Sequence, residues 1–239
     1  MKAWLNLRHA VPERWAAFSR GLERLGYTVV QGVTTRPGDR DILVTWNRIR
    51  EGETAAQAFE GRGRPVLVTE NATWGNEFAG QRWYTLARGF HNTAGLFPVG
   101  GPERWDSLGV DLMPWRDSGE IVVLPSRGIG PPGLAMPAGW PARAMQRAPG
   151  SRVRHHPGTR AAVPLDRDLA RCATVITWGS GAAVLAAMWG IRVLADQPDW
   201  IGAHGWMEEE RLAMFRRLAW AQWRLEEIAS GEPMKRLLS

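Results

Sequence analysis

The stretch Val153–Trp200 decides the fold, and it reads VRHHPG (153–158), PLDRDLARCATVITWGSGAAVLAAMWGIRVLAD (164–196) and QPDW (197–200). The apolar and β-branched run Thr174–Trp178 predicts a buried strand, and Arg192–Ala195 predicts a second one. A GSG turn at 179–181 and a helix of small residues connect them. This order of strand, turn, helix and strand indicates an α/β domain with a parallel sheet.

The GSG turn also predicts an anion site. Backbone N–H groups and the positive end of the helix dipole suit a phosphate or diphosphate at Gly179, Ser180 and Gly181. Arg154 and His156 lie shortly upstream and add donors for the same anion. Nucleotide-sugar chemistry is the first function that this arrangement suggests. The alternative is that the glycines only permit a tight connection between strand and helix.

A membrane span is a second alternative for part of this stretch. Cys172–Ile191 holds no charged residue, and its length is near the roughly 20 residues that a span needs. The GSG interruption and the β-branched start favour a buried strand followed by a helix.

The composition of the 239 residues is that of a globular protein, with 44% apolar residues and a net charge of +6. Arginine supplies all but two of the 30 basic residues, because only Lys2 and Lys235 are lysines. Such a chain is attracted to polyanions, of which nucleic acid is the commonest inside cells. The single cysteine, Cys172, excludes an internal disulfide and a CxxC metal site. The first residues lack a signal peptide, and we expect a cytoplasmic protein.

The first half has the pattern of a repeating α/β unit. Helical spacing at Arg14–Leu25 and Thr54–Phe59 alternates with strand patterns, which we place at Tyr27–Val33, Asp41–Thr45 and Pro65–Thr69. Ligands of such sheets collect beyond the carboxyl ends of the strands, where Glu70 lies. Residues 71–117 look rich in loops. A new α/β unit begins at Gly119, and we expect one long helix at Glu208–Ala229.

The tryptophans and arginines suggest how a polyanion could bind. The chain has 14 tryptophans, and flat aromatic faces can hold a sugar ring or an extruded base. Packing is the alternative explanation for many of them. If DNA is the partner, we expect Arg82, Arg88, Arg104 and Arg116 to flank the binding cleft, and we expect aromatic rings to hold the base, namely Trp74, Trp83 and Trp115.

Six segments carry a resemblance to a known family: FHNTAG, LMPWRDSGEIVVLP, VRHHPG, PLDRDL, VITWGSGAA and LAWAQWRLEEIASG. Together they resemble small phage and bacterial glycosyltransferases of the GT-B fold, some of which are described as glycosylating hydroxymethylated pyrimidines in DNA. The second half is also similar to the donor half of capsule-polysaccharide transferases, through Arg154–Pro157 and Thr174–Gly190. The resemblance covers most of residues 85–232.

The resemblance implies two small Rossmann-like domains that face a cleft. Residues 1–117 would bind the acceptor, 118–205 would bind the nucleotide sugar, and a C-terminal helix in 206–239 would return to the first domain. The implied reaction moves a hexose from a nucleotide-diphosphate sugar, such as UDP-glucose, to 5-hydroxymethylcytosine or 5-hydroxymethyluracil in double-stranded DNA. We expect a monomer with no tightly bound cofactor and no membrane partner.

The resemblance also implies roles for individual residues. Arg154 and His156 would contact the donor phosphates together with Gly179, Ser180 and Gly181. A loop would approach from the other side with Ser126, Arg127 and Gly128, and Asp196 and Trp200 would lie near the sugar or ribose. No HExxH motif, DxD pair or Cys/His cluster supplies a metal site, so we expect arginines and helix dipoles to replace a cation.

The base that takes the proton of the acceptor hydroxyl is not fixed by a motif. Glu70 is the first choice and His91 the second, although Glu70 also fits a surface or loop-capping carboxylate and His91 fits a residue that braces its loop. Two other functions stay open. One is a capsule or envelope sugar transferase or a nucleotide-sugar epimerase, and the other is a nonenzymatic nucleic-acid-binding protein.

Overall fold

The computed structural model describes residues 1–7, 11–90, 95–130, 133–156 and 163–239. The chain divides into two compact units: the first holds Met1–Arg104 and Arg217–Ser239, and the second holds Trp105–Arg216. The strands are β1 (Lys2–Asn6), β2 (Thr28–Gln31), β3 (Ile42–Trp46), β4 (Val66–Asn71), β5 (Glu77–Phe78), β6 (Gln81–Arg88), β7 (Glu120–Leu124), β8 (Arg152–Val153), β9 (Cys172–Thr177), β10 (Arg192–Ala195) and β11 (Gln222–Arg224). The helices are α1 (Pro12–Arg24), α2 (Glu51–Glu60), α3 (Glu103–Asp106), α4 (Trp140–Arg147), α5 (Leu165–Asp168), α6 (Ala182–Met188), α7 (Glu208–Ala219), α8 (Leu225–Ser230) and α9 (Glu232–Leu238).

The sheet of the first unit has the order β11-β6-β4-β3-β1-β2, and β5 pairs with β6. Strands β2, β1, β3 and β4 are parallel, whereas β6 and β11 are antiparallel to their neighbours. The central strands β3 and β4 are apolar on both faces because helices cover both. One cluster joins Leu67 and Leu86 to residues of α1, α8 and α9, and another joins Val66 and Val68 to residues of α2.

The sheet of the second unit has the order β10-β9-β7-β8, and its strands are all parallel. The chain runs from β7 outward to β8 and then returns to the other side of β7 to form β9. The carboxyl ends of β7 and β9 therefore flank a topological switch point, which is where ligands of open α/β sheets usually bind. Helix α4 packs on the face that carries Val123 and Ile176, with Trp140 and Ala144 in the contact.

The mixed α/β fold with parallel sheets that the sequence predicts is present in both units. The stretch considered as a membrane span is a buried strand, β9, followed by the seven-residue helix α6. Among the described residues, no helix is both long enough and apolar enough to cross a membrane.

The expectation of one long helix at Glu208–Ala229 is wrong. The chain leaves α7 after Ala219 and forms β11, which pairs with the edge of β6. The buried side chain of Gln222 accepts hydrogen bonds there from the Thr73 N–H and the Thr85 hydroxyl, each at 2.9 Å. Pairing with a distant strand thus outweighs the helical periodicity of this segment.

The expectation that residues 71–117 are mostly loop is also wrong in part, because β5, β6 and α3 lie in this stretch. Strand β6 has five consecutive buried residues, 83–87, since it lies between β4 and β11 in the sheet. It therefore lacks the alternation of apolar and polar residues by which a half-buried strand is recognised.

Candidate functional site

Four loops follow the carboxyl ends of the strands in the second unit. They begin at Pro125 after β7, Arg154 after β8, Trp178 after β9 and Asp196 after β10. Because the strands are parallel, these loops lie along one edge of the sheet. The donor-site residues expected from the sequence are all in these loops.

Three side chains that carry or can accept a positive charge lie in the loops at this edge: Arg127, Arg154 and His156, here called the cationic cluster. His156 is exposed, yet its pKa is lowered from 6.5 by partial desolvation and by the charges of Arg127 and Arg154. The two arginine charges lower the pKa because they disfavour the protonated, positively charged form of the imidazole. An anion bound near these groups would relieve the repulsion.

Arg154 is held in place by neighbouring groups. Its Nε lies 2.5 Å from a carboxylate oxygen of Asp168, and its Nη2 donates to the carbonyl of Val163 at 2.8 Å. The backbone N–H of Arg154 donates to Val123 at 2.9 Å, which ties the loop to β7. Asp168 also pairs with Arg152 at 3.0 Å. Asp168 was not among the predicted site residues, although it lies in the PLDRDL segment.

The N–H groups of the GSG turn are not all available to a phosphate. The Thr177 hydroxyl donates to the Leu124 carbonyl at 2.8 Å and accepts from the N–H groups of Gly179 at 3.2 Å and Ser180 at 2.9 Å. Two of the donors that we expected to face a diphosphate therefore bond to the protein itself. The Ser180 hydroxyl accepts in turn from the Ala182 N–H at 3.3 Å.

Gly179 has a structural reason to be glycine. An added Cβ would lie 2.0 Å from the side-chain oxygen of Gln197, and Gln197 is 5% exposed. The residue allows close approach between the turn and the loop after β10. This observation supports the architectural explanation of the glycine turn that the sequence left open.

Asp196 and Trp200 are engaged differently from the sequence expectation. Asp196 accepts from the Trp140 indole at 2.6 Å and forms two hydrogen bonds with the Arg147 guanidinium, which fasten α4 to the end of β10. Asp196 also lines a cavity of about 610 Å³ on the sheet face, together with Ile176, Leu194 and Trp206. Trp200 is 1% exposed, so its ring packs in the interior instead of presenting a face to a sugar.

The loop after β7 carries Ser126, Arg127 and Gly128. Ser126 is half-buried and Arg127 is exposed. Gly128 has a φ of +65°, a conformation that glycine adopts without strain. The Trp178 indole donates to the Leu134 carbonyl at 2.8 Å, which connects this loop to the end of β9.

Glu70 and His91, the residues proposed as catalytic, both lie within residues 1–117 of the sequence. Glu70 is partly buried in β4 opposite Thr85 of β6, on the sheet face that carries Val66 and Val68. Its neighbour Asn71 lies on the other face, opposite Tyr84. His91 lies outside the described residues.

Several residues that we expected to contact DNA have structural roles. Arg104 pairs with Glu227 and donates to the carbonyls of Ala219 and Gln222 at 2.7 and 2.6 Å. Arg116 donates to three carbonyls at the end of α5, those of Leu169, Ala170 and Cys172.

The tryptophans expected to hold a base also pack against other side chains of the protein. Trp74 and Trp83 are each 2% exposed and pack edge to face with centroids 5.2 Å apart. Trp115 is half-buried; its ring stacks on His204, and the Arg211 guanidinium also lies over it. Trp74 and Trp83 therefore do not present the aromatic surface proposed for an extruded base.

The described part of the chain holds no group of three or more His, Cys, Asp or Glu side chains arranged to bind a metal ion. The candidate site of the second unit combines arginines, a histidine, hydroxyls and backbone groups with the carboxylates of Asp168 and Asp196.

Comparison with known proteins supports the fold. No family model matches the chain, and no curated protein matches it. Among solved structures, the KpsC β-Kdo 2,4-transferase of Thermosulfurimonas dismutans aligns with a TM-score of 0.54 and 15% identity, over 94% of this chain and 92% of that chain. An aspartate transcarbamoylase of Trypanosoma cruzi aligns with a TM-score of only 0.26 and 14% identity, over 91% of this chain and 80% of that chain. The chain thus shares its α/β fold with a glycosyltransferase.

Proposed function

We propose that this protein is a glycosyltransferase that uses a nucleotide-activated sugar and binds the donor phosphate at the cationic cluster. The observation that carries the proposal is the position of Arg127, Arg154 and His156 in the loops that follow the neighbouring parallel strands β7 and β8, at the sheet edge where ligands of such folds bind. The fold shared with a Kdo transferase supports the same class of reaction. The division into two units, one with a mixed sheet that holds four parallel strands and one with an all-parallel sheet, supports the GT-B assignment.

The chemistry of glycosyl transfer fits this cluster. The bond between the sugar and the donor phosphate breaks, and negative charge grows on the leaving phosphate. Arg127 and Arg154 remain charged at every physiological pH and would stabilise that phosphate. A bound phosphate would also raise the pKa of His156, so that its imidazolium donates a hydrogen bond or a proton to the leaving oxygen.

The other donor contacts and the base are further parts of the proposal. Asp196 is proposed as a ribose contact because it lies on the rim of a cavity, and Ser126 and Gly128 are proposed because their loop carries Arg127. Glu70 is proposed as the base on the acceptor hydroxyl because it ends a parallel strand, and His91 is the second candidate. UDP-glucose, or a similar nucleotide sugar, is the proposed donor.

Two acceptor classes are proposed, and the described residues favour a saccharide. The capsule-type acceptor is supported by the activity of the structural neighbour, a β-Kdo 2,4-transferase. Hydroxymethylpyrimidine in double-stranded DNA is supported by the net charge of +6 and by the resemblance. Against DNA, Arg104 and Arg116 bond to the protein itself and Trp74 and Trp83 are buried.

The experiment offers the purified chain a panel of UDP-, GDP-, dTDP- and CMP-sugars with three acceptors. These are an acidic capsule oligosaccharide, duplex DNA that carries hydroxymethylpyrimidine, and the same duplex without the modification. Mass spectrometry of acceptors and released nucleotides reads the result. We expect one nucleotide sugar to be consumed and its sugar to appear on the oligosaccharide. Transfer to the modified duplex alone would reverse the choice of acceptor, and no consumption of any donor would refute glycosyl transfer.

A further inference from the structure

A second cavity lies in the first unit, between the end of β4, the β5–β6 hairpin and the first turn of α1. Its volume is about 460 Å³, which is within the range of roughly 300–1,000 Å³ that is usual for small-molecule sites. Its lining is mainly polar, with Arg14, Asn71, Asn76, Glu77, Arg82 and Tyr84.

The strand register brings these side chains to one face. Asn71 of β4 pairs with Tyr84 of β6, and Glu77 of β5 pairs with Arg82 of β6. Paired residues of neighbouring strands point to the same face, and residues two apart on one strand do so as well. The wall of the cavity is therefore formed by rigid antiparallel strands and does not depend on a long loop.

Arg14 forms the deep side of the cavity. It is 7% exposed, and its guanidinium carbon lies 4.1 Å from the ring centre of Trp46 and 4.8 Å from that of Tyr84. Contact with two aromatic faces fixes the guanidinium in one orientation and partly offsets the cost of its burial. A guanidinium held in this way is prepared for a planar or tetrahedral oxyanion.

Arg82 forms the exposed rim opposite Arg14. Its guanidinium pairs with Glu77 at 3.1 Å, and both side chains are exposed. Such a pair is worth little in water and exchanges partners readily. The lining holds two arginines and one glutamate, and Asn71 and Asn76 add amide groups that can both donate to and accept from hydroxyls.

We propose that this cavity binds a polyhydroxylated oxyanion, meaning a sugar that carries a carboxylate or a phosphate. Arg14 and Arg82 contact the oxyanion, and Asn71 and Asn76 contact the hydroxyls. The proposal goes beyond the proposed function, because it concerns binding at a site formed by the first unit and requires no transfer reaction.

The indole N–H resonance of Trp46 gives a local reading of occupancy, because the Arg14 guanidinium rests on that ring. The resonance is assigned with Trp46→Phe in the full-length protein. The probes are trigalacturonate and glucose 6-phosphate, with maltotriose, glucose and inorganic phosphate as controls. We expect saturable shifts with one or both acidic sugars, at least about tenfold tighter than with the matched neutral sugar or with inorganic phosphate. The acidic sugar that binds identifies the oxyanion.

Three variants separate recognition from structure. Arg82→Gln, at an exposed position, is expected to weaken binding of the acidic sugar by about tenfold. Glu77→Gln removes the competing carboxylate and is expected to strengthen it by about threefold. Arg20→Gln, an exposed arginine on α1, is the matched control and should change nothing.

The proposal is overturned if neutral and acidic sugars give equal affinities, if inorganic phosphate binds as tightly as both acidic sugars, or if no probe shifts the Trp46 resonance. It is also overturned if Glu77→Gln fails to strengthen binding and Arg82→Gln fails to weaken it. Arg154→Gln, which tests the donor site of the proposed function, should leave these shifts unchanged, so the two proposals fail separately.

Discussion

The Thr177 hydroxyl is a single group on which the geometry of the candidate donor site depends. It connects the end of β7 to the turn after β9 through one donated and two accepted hydrogen bonds. The residue is completely buried. Loss of the hydroxyl would leave buried backbone groups without a partner, which costs more than the hydrogen bonds themselves contribute.

Thr177→Val preserves the shape of the side chain and removes the hydroxyl. We expect the free energy of unfolding to fall by about 2 to 4 kcal/mol, because two N–H groups and one carbonyl lose their partner. Urea unfolding followed by circular dichroism measures the change. Thr177→Ser keeps the hydroxyl and is expected to lose only about 1 kcal/mol, and equal losses in the two variants would contradict the role of the hydroxyl.

His156 makes donor binding depend on pH. Its lowered pKa means that protonation is disfavoured in the free protein, so its contribution to folding stability is complete above 6.5 and declines as the pH falls. A bound diphosphate favours the protonated form. We therefore expect the affinity for UDP-glucose, or whichever donor the panel identifies, to increase from about pH 7.5 to about pH 6.

Calorimetric titration across this pH range tests the expectation with His156→Gln as the comparison. The variant should show a flatter profile, because the donor phosphates themselves do not titrate in this interval. A wild-type affinity that is constant, or that falls on acidification, would remove His156 from the donor site.

At the scale of elements, the sequence predicted most of the parallel strands, although it missed the parallel strand β1. Strands β3, β4, β9 and β10 and helices α1 and α2 lie within a few residues of the predicted positions, because buried parallel strands and amphipathic helices carry strong local patterns. The antiparallel strands β6 and β11 were missed, since their pairing is decided by residues far apart in the chain, such as Gln222 and Thr85.

The candidate site was predicted in the same uneven way. Arg154 and His156 were proposed from a short motif, and Arg127 from the family resemblance. The engagement of Asp196 with Trp140 and Arg147, and that of Gly179 with Gln197, depends on contacts between different loops. Spacing along the chain does not reveal such contacts.

Arg104 connects β11 and α8 in the first unit through its bonds to Gln222 and Glu227. Burial alone would raise the pKa of Glu227, yet hydrogen bonds from Arg104 and the Arg224 N–H lower it below its usual value of 4.5. The carboxylate therefore stabilises the fold above that pH, and its contribution is lost as the pH falls through the lowered value.

Replacing Arg104 with alanine removes the guanidinium from two carbonyls and from this carboxylate, which keeps only its bonds to Arg224. We expect a loss of about 3 to 5 kcal/mol in the free energy of unfolding at pH 7, as for a broken buried ion pair. Arg216→Ala breaks an exposed pair with Asp106 and should cost only about 0 to 1 kcal/mol. Thermal unfolding of both variants makes the comparison, and similar losses would show that Arg104 does not stabilise the fold through these bonds.

At the scale of the whole molecule, the first unit is assembled from both ends of the chain. Residues of the C-terminal segment complete its core, among them Trp223, Ile228 and Met234, which are at most 1% exposed. Part of the high arginine content has a structural explanation, because several arginines bond to carboxylates or carbonyls of the protein itself. These are Arg48, Arg104, Arg116 and Arg211. Net charge is thus a weak guide to the partner of this protein.

The central claim is that a nucleotide-sugar phosphate binds the cationic cluster. Titration calorimetry with a panel of nucleotide sugars tests it most directly, using the wild type, Arg127→Gln, Arg154→Gln and, as a matched control, Arg143→Gln at an exposed position on α4. The account predicts that at least one nucleotide sugar binds, that each cluster variant loses about 1.5 to 3 kcal/mol of binding free energy, and that Arg143→Gln binds like the wild type. Unchanged affinity in both cluster variants, or no binding of any nucleotide sugar, would contradict it.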